Sequence, residues 1–285
     1  MYSKVFLEIT NVCNLRCSFC PGTQRRPRFL SPEEFRILAA KLRPVTDYLH
    51  LHVMGEPLLH PQLAEILALS HALGFQINLT TNGTLLEMQQ DILLNAPALR
   101  RVNVSLHSFE ANECGDFDGY LRACAGFGRE AAGRGKLVSY RLWNLDGAAT
   151  RGLHEKNDAI LAALHRAFPN PWRKNTWGWR LDDTVYINYG ERFDWPTTDA
   201  PERGERGRCR ALTGQLAVLC DGTVVPCCLD GEGRMALGNL FTQELEDILA
   251  SPLARRITQG FQSGMRAHPL CRRCGYIDRF RQHFG

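Results

Sequence analysis

The sequence predicts an α/β protein in which a partial (β/α)6 TIM-like barrel is followed by a small cysteine-rich α+β domain. Over the first 190 residues, short β-type segments alternate with helical ones, which implies a parallel sheet. About six such units suit an open barrel better than a closed eight-unit one, which typically needs about 250 residues. Residues 209–285 end this alternation with a β-hairpin, a helix and six of the eleven cysteines.

The first domain is expected to span residues 1–190 and to hold six strands with helices between them. Its strands are expected at residues 4–10, 47–53, 75–80, 101–106, 137–143 and 184–188. Its first helix opens at Ser31 with a capping box and with Pro32 at the first helical position. Further helices are expected at residues 61–73, 85–94, 120–132 and 156–168, and Gly74 is placed to end the first of these.

A linker and a second domain are expected after the barrel. Residues 191–208 are charged and rich in proline and glycine, which is typical of a linker. Residues 209–285 contain a predicted hairpin in which Asp221-Gly222 is a two-residue turn, and then a predicted helix over residues 243–257.

Composition excludes several classes of protein. A formal net charge of +4 is too small to indicate a nucleic-acid partner. No apolar run approaches the roughly 20 residues that span a bilayer, and no signal peptide is evident, so a cytoplasmic protein is expected. In that compartment, eleven cysteines indicate metal binding or catalysis rather than disulfides.

The first cysteine cluster directly follows the first predicted strand. Cys13, Cys17 and Cys20 lie on one loop, at spacings of four and three residues. Three thiolates can hold a [4Fe–4S] cubane and leave one iron open to bind a further ligand. The alternative is a three-cysteine zinc site completed by a distant ligand, although zinc sites favour paired CxxC units.

This loop resembles that of the radical AdoMet superfamily, whose hallmark is CxxxCxxC with an aromatic residue before the last cysteine, where Phe19 stands here. The resemblance implies that the open iron chelates S-adenosylmethionine (AdoMet). An electron then cleaves AdoMet to methionine and a 5′-deoxyadenosyl radical, which abstracts hydrogen from the substrate. It also implies an external one-electron reductant of the flavodoxin or ferredoxin type.

Further AdoMet-binding positions follow from the same resemblance. Met54-Gly55-Glu56-Pro57, after the second strand, is similar to the family's GGEP motif, whose backbone receives the AdoMet amino group, although Met54 replaces the first glycine. Asn82, after the third strand, matches the TNG stretch near the ligand, and Ser105 ends the fourth strand where a polar residue commonly contacts AdoMet. Each motif alone is more often a simple turn.

The C-terminal cysteines resemble a second signature. Cys209, twelve residues, and then Gly222 with Cys227 five positions later match the CX(9–15)GX4C pattern of the SPASM/twitch extension, which implies an auxiliary [4Fe–4S] cluster. Cys271 and Cys274 follow, and residues 275–285 contain no further cysteine, so four ligands fit one cluster. The alternative is a four-cysteine zinc ribbon.

The predicted hairpin geometry guides the choice of these ligands. With a two-residue turn, Cys220 pairs with Thr223, and Cys227 lies about four residues, roughly 13 Å, further along the strands. One cubane cannot easily use both Cys220 and Cys227. Cys228 points to the other face unless Pro226 introduces a bulge. The expected ligands are Cys209, Cys227, Cys271 and Cys274.

Four side chains are candidates for chemistry on the substrate: Cys220, Cys228, Arg141 and His107. A spare cysteine could donate a hydrogen atom to a substrate radical, but Cys220, Cys228, Cys114 and Cys124 are each more often small buried hydrophobes. Arg141 could hold a carboxylate at the barrel mouth, near Trp143 and Asn144, or could be a surface cation. His107 is a candidate base or an ordinary loop histidine.

The expected function is AdoMet-dependent radical oxidation or crosslinking of a peptide or protein side chain, or of a small polar metabolite, with the auxiliary cluster taking up an electron. One alternative is redox-neutral epimerisation with a cysteine hydrogen donor. The other, of a different class, is a non-catalytic zinc-binding or electron-transfer protein. Neither a nucleic acid nor a membrane is expected as a partner.

Overall fold

The protein is described by a computed structural model that covers residues 1–110, 112, 115–143, 154–191 and 193–277. Cys114 and Asn144 lie outside the described residues. The strands are β1 (Lys4–Leu7), β2 (Tyr48–His50), β3 (Gln76–Thr81), β4 (Leu99–Ser105), β5 (Leu137–Leu142), β6 (Arg173–Asn175), β7 (Gly178–Arg180), β8 (Val185–Tyr189), β9 (Gln215–Val218), β10 (Thr223–Val225) and β11 (Gly238–Asn239). The α-helices are α1 (Pro32–Leu42), α2 (Leu63–Ala72), α3 (Leu86–Asn95), α4 (His107–Glu110), α5 (Phe117–Gly133), α6 (His154–Ala167), α7 (Leu245–Leu249), α8 (Pro252–Gln262) and α9 (Pro269–Arg272).

The first of two compact units comprises Met1–Val12, Pro21–Gly55 and Phe193–Gly285. Its strands follow the order β11-β10-β9-β1-β2, in which β1 is parallel to both β2 and β9, and β10 runs antiparallel to β9 and β11. Helix α1 begins as the sequence predicts, because the Ser31 hydroxyl accepts a bond from the Glu34 amide and the Glu34 carboxylate accepts one from the Ser31 amide.

The second compact unit comprises Cys13–Cys20 and Glu56–Arg192. Its strands β3, β4, β5 and β8 are parallel neighbours, and β7 and β6 extend them as an antiparallel hairpin that the sequence analysis missed. Together with β1 and β2, these four parallel strands are the six that were predicted. The carboxyl ends of β3, β4 and β5 meet at one edge, which carries the polar residues considered below.

The hairpin of β9 and β10 differs from the prediction in its register. Val218 pairs with Val224 and Ala217 pairs with Val225, so the loop holds three residues, Cys220 to Gly222, instead of two. The expected pair of Cys220 with Thr223 is therefore wrong. Cys220 leaves the ladder because its amide donates to a buried carboxylate, that of Glu8, at 3.0 Å.

The single helix predicted over residues 243–257 is wrong too, because two helices cover this segment. Helix α7 ends before Ser251, whose hydroxyl accepts a bond from the Ala254 amide, and Pro252 stands at the first position of α8. A serine cap followed by proline favours a new helix start, not a continuation.

The predicted domain boundaries, 1–190, 191–208 and 209–285, stay a prediction. Among the described residues, no helix is both long and apolar enough to cross a membrane.

Candidate functional site

The loop of Cys13, Cys17 and Cys20 belongs to the second unit, and in the described part of the chain none of the three cysteines forms a disulfide. The Cys20 amide donates to the carbonyl of Cys17 at 2.9 Å, which turns the loop back on itself. Burial raises the pKa of the Cys13 thiol, and the negative charges of Cys17, Cys20 and Glu56 raise it further. The Cys13 sulfur therefore lies within electrostatic range of the Glu56 carboxylate and of the Cys17 and Cys20 sulfurs.

Asparagines hold this loop in place. Asn14 donates to the Thr84 hydroxyl at 2.8 Å and accepts a bond from the Asn82 amide group at 2.9 Å, so the loop is fastened to the segment after β3. Asn112 accepts the amide of Arg16 at 2.8 Å. Sequence analysis missed Asn14, Thr84 and Asn112, because a lone asparagine or threonine carries no spacing signal.

Asn112 also contacts a proposed cluster ligand directly. Its side-chain amide donates to the Cys17 sulfur at 3.1 Å and to the carbonyl of Ser108 at 2.6 Å. Because hydrogen bonds to ligand sulfurs help to set the potential of an iron–sulfur cluster, Asn112 lies where it would influence a cluster on this loop.

Glu56 is buried and follows the second predicted strand. Its carboxylate accepts the Asn82 amide at 2.7 Å and the Leu58 amide at 3.0 Å. Burial raises the pKa of Glu56 to about 7, although these hydrogen bonds oppose the shift. Asn82 is fixed on its other side, because its carbonyl accepts a bond from the Tyr120 hydroxyl at 2.8 Å. Glu56 and Asn82, which the sequence analysis selected separately, therefore form one hydrogen-bonded unit.

Gly55 and Met54 belong to the first unit, and both positions are sterically defined. Gly55 has a φ of 75°, and a Cβ there would overlap the Thr10 carbonyl oxygen and lie 2.9 Å from the Cα of Asn11. Only glycine fits this backbone. The Met54 side chain, which replaces the usual glycine, is buried and packs against Gly231, where a Cβ would lie 2.7 Å from the Met54 Cγ. The methionine is thus accommodated away from the backbone of the motif.

The ends of β4 and β5 place four of the predicted residues together. Ser105 and Arg141 are paired in register. The ring of buried His107 lies 4.9 Å from that of Phe19, and its Nδ1 lies 3.0 Å from the Arg141 carbonyl oxygen. Because a carbonyl only accepts, this Nδ1 carries a proton, and the neutral ring then has Nε2 as its acceptor. The Arg141 guanidinium lies 4.8 Å from the centre of the Trp143 ring.

The first unit brings the four predicted auxiliary ligands to one mainly apolar cavity. Its lining includes Cys209, Cys227, Cys271 and Cys274. Burial raises the pKa of Cys271 to about 12, and the charges of Cys209 and Cys274 contribute to the rise. In the part of the chain that the structure describes, no three His, Cys, Asp or Glu side chains are grouped tightly enough to hold a single metal ion. A cubane spreads its thiolates further apart than one zinc ion, whose Zn–S bonds are about 2.3 Å.

The other described cysteines have different surroundings. Cys124 is buried, and burial raises its pKa to about 12, as for a small hydrophobe. Cys228 is half-buried and lies beside Cys227 in the chain. Cys220 is buried, and its sulfur accepts a bond from Arg25 at 3.7 Å. The hydrogen-donor role of Cys220 and Cys228 stays a prediction.

A buried ion pair that the sequence analysis missed surrounds Cys220. Glu8 is fully buried, and its carboxylate accepts two bonds from Arg25, at 2.7 and 2.8 Å. The same carboxylate accepts the amides of Met54 and Cys220, both at 3.0 Å. Arg25 also donates to the Gly231 carbonyl at 2.7 Å. This pair therefore joins β1, the Met54 segment and the hairpin of the cysteine-rich region.

Comparison with known proteins identifies the class. Residues 7–161 match the model of the radical SAM superfamily, and residues 209–275 match the SPASM model, described as an iron–sulfur cluster-binding domain. The chain belongs to the radical SAM superfamily and is an enzyme. The predicted cofactors are confirmed at this level: a [4Fe–4S] cluster with AdoMet, and an auxiliary iron–sulfur cluster in the SPASM region.

Among sequence relatives, GTP 3′,8-cyclase of Microcystis aeruginosa is 28% identical over an alignment of 223 residues, which covers 73% of this chain and 64% of that protein. The match therefore spans less than two thirds of the relative. Among solved structures, BtrN in complex with AdoMet and 2-DOIA is similar with a TM-score of 0.60 and 17% identity, covering 96% of this chain and 93% of that one.

Streptococcus suis SuiB bound to its precursor peptide SuiA is similar with a TM-score of 0.64 and 14% identity, covering 99% of this chain and 73% of that one. At such identities the two structures support the fold alone. They agree with the predicted α/β class and its C-terminal cysteine-rich region.

Proposed function

We propose that this chain is a radical SAM oxidoreductase or maturase that oxidises or crosslinks a peptide or protein side chain, or a small polar metabolite. Cys13, Cys17 and Cys20 would hold the [4Fe–4S] cluster that, when bound, supplies the electron for AdoMet cleavage. Gly55, Glu56, Asn82 and Ser105 would hold AdoMet, and Phe19 would pack beside the cluster loop. A flavodoxin- or ferredoxin-type protein would deliver the electron.

The observation that carries the proposal is the convergence of Cys209, Cys227, Cys271 and Cys274 on one cavity. A cubane ligated by four thiolates has no open iron, so it cannot bind substrate but can accept an electron. A substrate radical formed by hydrogen abstraction becomes an oxidised product when it loses one electron and one proton. Four convergent ligands therefore favour net oxidation over a redox-neutral reaction.

A second cavity in the first unit supports a small reacting group. It measures about 210 Å³, and its lining includes Met54, Trp195, Asp230, Glu232 and Arg234. Pockets for drug-sized ligands are larger, about 300–1,000 Å³. Its size and mixed charges suit one peptide side chain or a small polar molecule. Of the two structural neighbours, SuiB is bound to a precursor peptide and BtrN is in complex with AdoMet and 2-DOIA.

His107 and Arg141 would act on the substrate. The Arg141 carbonyl accepts the Nδ1 proton of His107 and so orients the ring, which would act as the base when the substrate is oxidised. The Arg141 guanidinium could hold a substrate carboxylate. A cytoplasmic location fits, because free thiols and iron–sulfur clusters need a reducing compartment.

Anaerobic reconstitution of two ligand variants tests the proposal. Wild type is expected to hold about eight irons per chain and to form 5′-deoxyadenosine when reduced with AdoMet. Replacing Cys13, Cys17 and Cys20 by alanine should remove about four irons and abolish AdoMet cleavage. Replacing Cys209, Cys227, Cys271 and Cys274 should also remove about four irons but leave AdoMet cleavage. Stoichiometric zinc without AdoMet cleavage would contradict the proposal.

The reaction class needs a separate experiment. Candidate peptides and metabolites encoded or made by neighbouring genes should be incubated with the enzyme in deuterated solvent and followed by mass spectrometry. Oxidation or crosslinking removes two mass units, whereas epimerisation through a cysteine donor adds one deuterium. Single Cys220→Ala and Cys228→Ala variants provide the control, since a stall after AdoMet cleavage in either would favour epimerisation.

A further inference from the structure

One arginine lies buried beside three of the four proposed auxiliary ligands. Arg266 is 1% exposed and is the largest fully buried side chain among the described residues. Its Nη1 donates to the carbonyl of Arg272, at 3.5 Å, and Arg272 lies between Cys271 and Cys274 in the chain. The guanidinium is thereby fixed to the segment that carries these two cysteines.

The other side of the guanidinium packs on the segment that carries Cys209. A Cβ added at Gly207, two residues before Cys209, would lie 2.7 Å from the Arg266 Nε and 3.2 Å from Ile277, a residue that lines the cysteine cavity. Glycine at position 207 therefore leaves the space that the guanidinium occupies. Arg266 is held between both cysteine-bearing segments.

The charge at this place is permanent, because a guanidinium does not lose its proton in proteins. A buried charge is also screened less by solvent and salt than a surface charge. The guanidinium packs on the segment that carries Cys209 and donates to the residue between Cys271 and Cys274, so its field acts on three of the four sulfurs that line the cavity.

We propose that Arg266 raises the reduction potential of the auxiliary cluster and so makes it a better acceptor of the substrate's electron. This inference rests on the proposed function, in which Cys209, Cys227, Cys271 and Cys274 hold that cluster. On reduction, the cluster with its four thiolates gains one negative charge. A fixed positive charge stabilises the more negative state, and net charge is one of the determinants of cluster potential.

The test is an anaerobic redox titration of the reconstituted full-length enzyme, followed by EPR, with and without AdoMet. Signals that change when AdoMet is added belong to the first cluster, and the unchanged ones report the auxiliary cluster. At the potential that half-reduces the wild-type auxiliary cluster, the reduced-to-oxidised ratio in Arg266→Gln should fall at least tenfold, which corresponds to 59 mV for a one-electron couple. In Arg266→Lys, which keeps the positive charge, the reduced-to-oxidised ratio should fall less than in Arg266→Gln.

A surface arginine provides the matched control. Arg255 is exposed on helix α8 of the same unit. Arg255→Gln removes an equal positive charge, but one that water screens. The reduced-to-oxidised ratio of the auxiliary cluster in this variant should therefore match that of wild type. An Arg266→Gln enzyme with full iron content and an unmoved auxiliary midpoint would overturn the inference alone. A wild type without any second cluster would instead overturn the proposed function, and the inference with it.

A second variant covers the case in which Arg266→Gln fails to fold or to load iron. Gly207→Ala keeps the arginine but places a methyl group where the Nε now packs, so the guanidinium must move away from the Cys209 segment. At the potential that half-reduces the wild-type auxiliary cluster, the reduced-to-oxidised ratio in Gly207→Ala should fall at least threefold. An unchanged or raised ratio in Gly207→Ala would overturn the inference.

Discussion

The buried pair of Glu8 and Arg25 allows a quantitative prediction for Glu8→Gln. The Glu8 carboxylate lies inside the first unit and accepts four hydrogen bonds, two from Arg25 and one each from the amides of Met54 and Cys220. Glutamine keeps the shape but loses the charge. Its amide group must also face one of the present donors, which leaves that donor without an acceptor.

The expected cost follows from this environment. The Arg25 side chain is 13% exposed, so Glu8→Gln leaves a mostly buried cation without its counter-charge. Removing one partner of a buried ion pair typically costs about 3–5 kcal/mol. Since each kcal/mol shifts the melting temperature of a chain of this size by about 2–4 °C, we expect Tm to fall by about 10 °C.

Anaerobic thermal unfolding followed by circular dichroism measures this effect. The matched control is Glu33→Gln, because Glu33 also forms two bonds with one arginine, Arg36, but on the exposed surface of α1. We expect no resolvable change for that variant. The double variant Glu8→Gln/Arg25→Met should recover part of the loss, because it removes both charges. If the Tm of Glu8→Gln equals that of Glu33→Gln within error, burial does not make the loss of the Glu8–Arg25 pair costly, and the prediction is wrong.

Three further predictions concern the proposed AdoMet site. Gly55→Ala should weaken AdoMet binding at least tenfold in equilibrium dialysis, because a Cβ there overlaps the Thr10 carbonyl; wild-type affinity would contradict this. Because burial raises the pKa of Glu56 from 4.5 to about 7, the folded state binds a proton there that the unfolded state releases. Below pH 4.5, Glu56 makes its full contribution to the free energy of unfolding. As the pH rises through 7, that contribution is lost, and the free energy of unfolding falls by about 3 kcal/mol. Urea unfolding of wild type and Glu56→Gln across this range should show that slope only in wild type; parallel profiles would refute it. Asn112→Ala removes the hydrogen-bond donor to the Cys17 sulfur, so the midpoint potential of the first cluster should fall in an EPR-monitored redox titration. An unchanged midpoint would show that this hydrogen bond does not influence the potential of the first cluster.

The residues that could be predicted from the sequence share one property, their place on short-range motifs. Glu56, Asn82 and Ser105 were located because each stands at or just after the end of a strand that periodicity identifies. Parallel strands bring such ends to one edge, which agrees with the hydrogen bond between Glu56 and Asn82. Ser31 was likewise identified by its own neighbours, because a capping box lies within four residues.

Glu8 and Arg25 could not be predicted in this way. The Glu8 carboxylate and the Cys220 amide that it accepts are 212 positions apart, and no local pattern connects them. Their contact exists because β9 pairs with β1 in parallel, with Leu7 opposite Val218. Only that long-range pairing places the residue after Leu7 beside the hairpin loop. The hairpin register failed for the same reason, because the bond to Glu8 draws the Cys220 amide out of the ladder.

This correction changes the argument about Cys220 as an auxiliary ligand. The sequence analysis set Cys220 aside because a two-residue turn would place it roughly 13 Å along the strands from Cys227. The three-residue loop places Thr223 opposite Leu219, but Cys227 still lies four residues beyond Thr223, so the separation along the strands stands. The structure supplies a further argument, because the Cys220 sulfur accepts a bond from Arg25 while four other cysteines line the cavity. We therefore expect Cys220→Ala to retain the full iron content, whereas Cys227→Ala should lose the auxiliary cluster.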